Sequence, residues 1–215
     1  MPLAIFDLDN TLVDRTAAFR SSARWFAIQR GLDPAHVVPW MEAADEGGQR
    51  PRPELFASAR AEFRLDDPVR ELAAAWWPAY LDFYRCADDT IEALKALRTQ
   101  DWKIGIATNG DIGQEEKLRR AGLDRLVDAW CVSELVGHAK PAPEIFRLVA
   151  ERCGATLEGA WMVGDSGPTD IAGAVAAGIS SAWLHRGRVW GETGYRPTIV
   201  VASVGHAVGQ MLSAP

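Results

Sequence analysis

The sequence predicts an α/β fold, a mostly parallel β-sheet covered by helices on both faces, with an all-helical segment inserted after the first strand. Three observations predict it. Short apolar runs at residues 3–8, 102–107, 129–132, 160–164, 181–184 and 198–201 are continuous rather than alternating, as strands buried on both faces are. Segments with an apolar period of about 3.6 at residues 90–97, 114–121, 143–153, 170–177 and 204–212 fall between those runs, so strand and helix alternate. Residues 15–86 break the alternation, because they hold helical patterns and no convincing strand.

Within that insertion the patterns predict helices at 16–30, 34–45, 54–63 and 68–84, punctuated by Gly31, Gly47-Gly48 and Asp66-Asp67. The aromatic set Trp76, Trp77, Tyr80, Phe83 and Tyr84 lies at helical spacing, which suits packing better than a ligand platform. The domain division that follows is a core of residues 1–14 and 87–215 and a helical domain of 15–86.

Composition bounds the function. The 215 residues carry a formal net charge of -6, which argues against the basic footprint of a nucleic-acid or anionic-membrane binder. Three cysteines, Cys86, Cys131 and Cys153, are odd in number and widely spaced, suggesting neither a disulfide framework nor a zinc site. The first residues lack a basic segment and reach Asp7 too early for a signal peptide, and no apolar run is long enough to span a bilayer. A soluble, unprocessed, cytoplasmic protein is expected, and nothing in the pattern specifies an oligomeric state.

In an open parallel sheet, functional groups gather at the carboxyl ends of the strands. The first predicted strand ends in Asp7-Leu8-Asp9-Asn10-Thr11, the second in Thr108-Asn109-Gly110, and the fourth in Gly164-Asp165-Ser166-Gly167-Pro168-Thr169-Asp170. The two-residue period of a strand would send Asp7 and Asp9 to one side, where two like charges need a counter-charge. A divalent cation supplies it, and an oxygen-rich site at a loop rim suits magnesium. The plainer alternative is that Asp9, Asn10 or Thr11 caps a following helix.

Asp165 is a further candidate metal ligand. Asp170 is read as a helix-start carboxylate or as a group that orients the ligands from behind, with Ser166 beside it. Thr108 and Asn109 can offer a hydroxyl and backbone amides to phosphate oxygens. Lys140, in Gly137-His138-Ala139-Lys140-Pro141-Ala142-Pro143, has by itself the look of an exposed loop lysine.

Taken in order, these residues resemble the four signature motifs of the haloacid dehalogenase superfamily. Asp7-Leu8-Asp9-Asn10-Thr11 is similar to its DxDxT strand end and Thr108 to its phosphate-binding threonine. Lys140 before Pro141-Ala142-Pro143 is similar to its lysine, and Gly164-Asp165-Ser166 with Asp170 to its acidic motif. The resemblance implies a Rossmann-like three-layer core with a small all-helical cap inserted after the first motif. It implies a magnesium-dependent phosphatase acting on a small phosphorylated metabolite, with Asp7 as the nucleophile that forms an aspartyl-phosphate. Asp9 would protonate the leaving alcohol and then activate water, and Thr108 and Lys140 would hold phosphoryl oxygens. Mg2+ would sit between Asp7, the Asp9 carbonyl, Asp165 and substrate.

The resemblance also implies a specificity loop of the cap near residues 45–53. Such a break is otherwise a solvated connector, but there Arg50 or Arg52 would offer a fork of donors to the substrate. A phosphomutase shares every catalytic residue named. A hydrolytic dehalogenase on the same fold has no use for an acid at Asp9, and a silent binding module would be expected to have lost a catalytic group.

Overall fold

The structure, a computed structural model, describes residues 1–213. In chain order the elements are β1 (Leu3–Phe6), α1 (Arg15–Gln29), α2 (Pro34–Asp45), α3 (Arg52–Glu62), α4 (Val69–Phe83), α5 (Asp88–Thr99) and β2 (Lys103–Thr108). There follow α6 (Gly113–Arg120), β3 (Ala129–Val132), α7 (Ser133–Val136), α8 (Pro143–Arg152), β4 (Trp161–Gly164), α9 (Ala172–Ala177), β5 (Ser180–Leu184), β6 (Ile199–Val201) and α10 (Val204–Ser213).

The six strands form one sheet in the order β3-β2-β1-β4-β5-β6, and every neighbouring pair is parallel. The fold is α/β and Rossmann-like. Each residue of β1 is buried, as a central parallel strand requires. On one side of the sheet Leu3, Ile5, Cys131 and Met162 pack with Ile145, Phe146 and Val149 of α8. Gly105 in β2 permits that approach, since a Cβ there would collide with the Val149 side chain. Helix α8 packs on α9, and α5 on α10.

The chain runs outward from β1 to β2 and β3, then crosses back to β4 on the other side of β1. The direction of winding therefore reverses between β1 and β4, and their carboxyl ends flank the crevice where such folds hold ligands.

The chain divides into two compact units, Met1–Val13 with the chain from Cys86 onward, and Asp14–Arg85. The second contains helices alone, α1 to α4. Asp14 caps α1 by accepting from Ala17 N at 2.9 Å, and Asp33 caps α2 by accepting from Ala35 N. Its aromatic set is mainly core: Trp76, Tyr80 and Tyr84 are buried, with Trp76 and Tyr80 stacked at 4.7 Å between centroids. Phe83 is exposed. All three cysteines are free. Among the described residues no helix is long and apolar enough to cross a membrane.

Candidate active site

The first run of apolar residues stops being strand at Phe6, two residues earlier than the sequence pattern suggests. Asp7 keeps one sheet bond, from its N–H to Val163 O at 2.9 Å, and then the chain turns. Leu12 and Val13 donate their amides back to Leu8 O, and Asn10 takes a left-handed φ of 62°. Strand alternation ends here, and Asp7 and Asp9 have different partners.

Asp7 is 7% exposed and faces Lys140, whose Nζ lies 2.5 Å from Asp7 Oδ1 and 2.8 Å from Asp170 Oδ1. Lys140 is itself buried, so it is no loose loop lysine. Asn109 secures its backbone from both sides, donating from Nδ2 to Lys140 O at 2.9 Å and accepting from Lys140 N at 2.8 Å. The Asn109 side chain thus braces the lysine. Thr108, at the end of β2, is 1% exposed, and its hydroxyl oxygen accepts from Gln114 Nε2 at 2.6 Å.

The turn after β4 supplies the remaining acids. Residues Gly167–Ile171 form a single wide π-helical turn leading into α9, a form common at functional sites. Asp170 is fully buried, with Oδ2 accepting from Ser166 N at 2.9 Å and Oδ1 on Lys140, so it holds the turn and the lysine in place. A Cβ on Gly164 would overlap the Asp170 carboxylate, which is why glycine ends β4. The Asp165 carboxylate pairs with Arg188 at 2.9 Å, while its carbonyl accepts from Trp183 Nε1 at 2.8 Å and from Arg188 at 2.6 Å. Trp183 therefore positions the main chain of this acidic turn, a role that its plain apolar setting in the sequence conceals.

One carboxylate oxygen each from Asp7, Asp165 and Asp170 lies within 4.8 Å of the others. Burial drives the Asp7 carboxyl up to about 7, with Asp170 and Asp165 adding to the effect against the opposing pull of Lys140. Burial also raises Asp165, again reinforced by Asp170 and opposed by Arg188. Burial alone would lower Lys140, but Asp170 and Asp7 more than offset it and keep the ammonium charged above its usual range. Three converging carboxylates against Lys140 and the partly exposed Arg188 suit a hard divalent cation. Both Asp170 oxygens are already engaged, which leaves Asp7 and Asp165 as the better side-chain donors.

Asp9 points to a different set of groups. Its carboxylate accepts from Gln114 Nε2 at 3.0 Å and from Lys117 Nζ at 2.9 and 3.2 Å. Neither α6 residue stood out in the sequence, where residues 114–121 show only a helical pattern. Arg50 and Arg52 lie in the helical unit and find partners inside it. Arg50 donates to Ser58 Oγ at 2.8 Å, and Arg52 pairs with buried Asp45 at 2.6 Å while lying 4.9 Å from the Trp76 ring centroid.

The model of the haloacid dehalogenase-like hydrolase family matches residues 1–178. A ribulose-1,5-bisphosphate 5-phosphatase of Halopiger xanaduensis is 33% identical over 195 residues, spanning 82% of this chain and 82% of that protein. The pyrimidine 5'-nucleotidase YjjG of Escherichia coli is 37% identical over 151 residues, 69% of this chain and 66% of that one. The solved structure of a magnesium-bound HAD hydrolase, YfnB of Bacillus subtilis, superposes with a TM-score of 0.77 at 22% identity, covering 98% of each chain. At that identity the likeness speaks for the fold.

Proposed function

The chain belongs to the haloacid dehalogenase-like hydrolases, and on that premise we propose that it is a magnesium-dependent phosphatase of small phosphorylated metabolites working through an aspartyl-phosphate. The observation that carries the proposal is the buried Asp7–Lys140–Asp170 chain with Asp165 converging on it. An anionic nucleophile that must approach an anionic phosphate needs its repulsion offset, and phosphoryl transfer needs positioning and charge neutralisation more than elaborate covalent chemistry.

Lys140 engages Asp7 Oδ1, so attack on phosphorus is assigned to Oδ2. The phosphorus–ester oxygen bond breaks as the new one forms, and Asp9 delivers a proton to the departing oxygen. Asp9 then takes a proton from water, which cleaves the aspartyl-phosphate, releases inorganic phosphate and returns Asp7. Thr108 and Lys140 hold the phosphoryl oxygens, while Asp170, Asn109 and Ser166 fix the lysine and the acidic turn. Asp7, Asp165 and the Asp9 carbonyl would hold Mg2+, which when bound neutralises charge on the transferring group. The helical unit serves as the cap of this plan. A carboxyl group at Asp9, for which a dehalogenase on the same fold has no use, favours the phosphatase.

Phosphate release from 4-nitrophenyl phosphate tests the reading, with magnesium and with excess chelator. Chelation should abolish turnover, and Asp165→Ala should raise the magnesium needed for half-maximal rate by about 10-fold or more. Full turnover in chelator would end the proposal. Asp9→Asn should lower kcat/KM, which reports the step in which the ester oxygen departs, about 10² to 10⁴-fold for phenyl phosphate and much less for 4-nitrophenyl phosphate, because the better leaving group needs little proton assistance. Equal losses on the two esters would remove the acid role.

A further inference from the structure

Helix α6 buries two polar side chains: Gln114 and Lys117 are 5% and 6% exposed. Buried donors of this kind are costly unless met by acceptors. Gln114 Nε2 reaches Thr108 Oγ1 at 2.6 Å, Asp9 Oδ2 at 3.0 Å and Asn109 O at 3.2 Å. Lys117 Nζ spans both oxygens of Asp9. Two residues one helical turn apart thus converge on two groups of the proposed chemistry. The turn after β2 is shaped to allow it, since Gly110 has φ 144° and a Cβ there would come within 2.9 Å of Gln114 Cγ.

We infer that Gln114 and Lys117 are positioning residues of the phosphatase site, a conclusion that rests on the roles given above to Asp9 and Thr108. The direction of the Gln114 bond matters. Its amide donates and the Thr108 oxygen accepts, so the threonine's own hydrogen points elsewhere and serves a phosphoryl oxygen. The same nitrogen steadies Asp9, so one side chain aligns the phosphate-binding hydroxyl with the acid. Lys117 grips the Asp9 carboxylate through both oxygens, as a counter-charge that fixes its direction. Both side chains act through Asp9 and Thr108 and are assigned no contact with the reacting atoms.

The test is steady-state kinetics of phenyl and 4-nitrophenyl phosphate for Lys117→Met, Lys117→Arg, Gln114→Ala and Asp9→Asn. Lys117→Met should lower kcat/KM on phenyl phosphate about 10 to 100-fold, the scale of a misplaced catalytic group. It should lower kcat/KM on 4-nitrophenyl phosphate by less than about 3-fold. Lys117→Arg, which keeps the charge, should recover most of that loss and keeps the comparison usable if the methionine variant folds poorly. Gln114→Ala should raise KM about 10-fold on both esters and also lower kcat on phenyl phosphate. Wild-type kinetics in both variants, or equal losses on both esters without recovery by arginine, overturns the inference when Asp9→Asn keeps its leaving-group selectivity. If Asp9→Asn lacks that selectivity, the acid role fails and takes the inference with it.

Discussion

Asp7→Asn is expected to abolish phosphate release, on the order of 10⁴-fold or more, while the fold persists. The amide nearly conserves volume but removes the carboxylate to which the attack is assigned under the proposed mechanism. The same substitution should alter how stability depends on pH. In the folded protein burial holds the Asp7 carboxyl at about 7, against an ordinary value of 3.8. Between those values the folded chain keeps a proton that the unfolded chain has lost. The stability contributed by neutral Asp7 is therefore complete below about 4 and is lost as pH rises through about 7. Asparagine is neutral throughout. In metal-free buffer, melting temperatures of variant and wild type should diverge from pH 5 to 8, with the variant increasingly the more stable. Parallel curves would mean that Asp7 is charged in the fold across the whole range.

Lys140→Met should produce the largest loss of stability. The ammonium is buried between Asp7 and Asp170, and its removal leaves two buried carboxylates facing each other. Breaking such a pair costs about 3–5 kcal/mol, because the uncompensated charge remains. Urea unfolding near pH 8 without metal measures it, and turnover should disappear in parallel. Lys140→Arg should restore little, since a planar fork cannot take the place of a compact ammonium between two carboxylates. A loss below about 1 kcal/mol would show that the ion pairs merely balance their own desolvation.

The strands and the order of the chemical groups were legible in the sequence, because continuous apolar runs and the polar residues at their ends are local patterns. The all-parallel sheet follows from the same runs separated by helices. What the pattern misjudged was local company. Asp7-Leu8-Asp9 continues the apolar–polar alternation of a strand, but the strand ends at Phe6, the amides of Leu12 and Val13 bond back to Leu8, and Asp9 finds its partners on α6. Asp170 is open to two readings in the sequence, a helix-start carboxylate or a group that orients the ligands from behind, and the π turn that buries it against Lys140 is not visible in the pattern. Gln114 and Lys117 sit in a run of polar residues whose burial depends on where β2 ends. Arg188 lies in an irregular stretch with no periodicity at all, and only the tertiary structure brings it to Asp165.

The chain leaves the sheet unit and returns to it at neighbouring points, since Val13 bridges antiparallel to Cys86. An insertion whose entry and exit coincide places no tension on its host. Residues 14–85 are in that sense a cassette: exchanging them for another helical insert would leave the pairing of β1 with β2 and β4, and with it the Asp7–Lys140 contact, where they are.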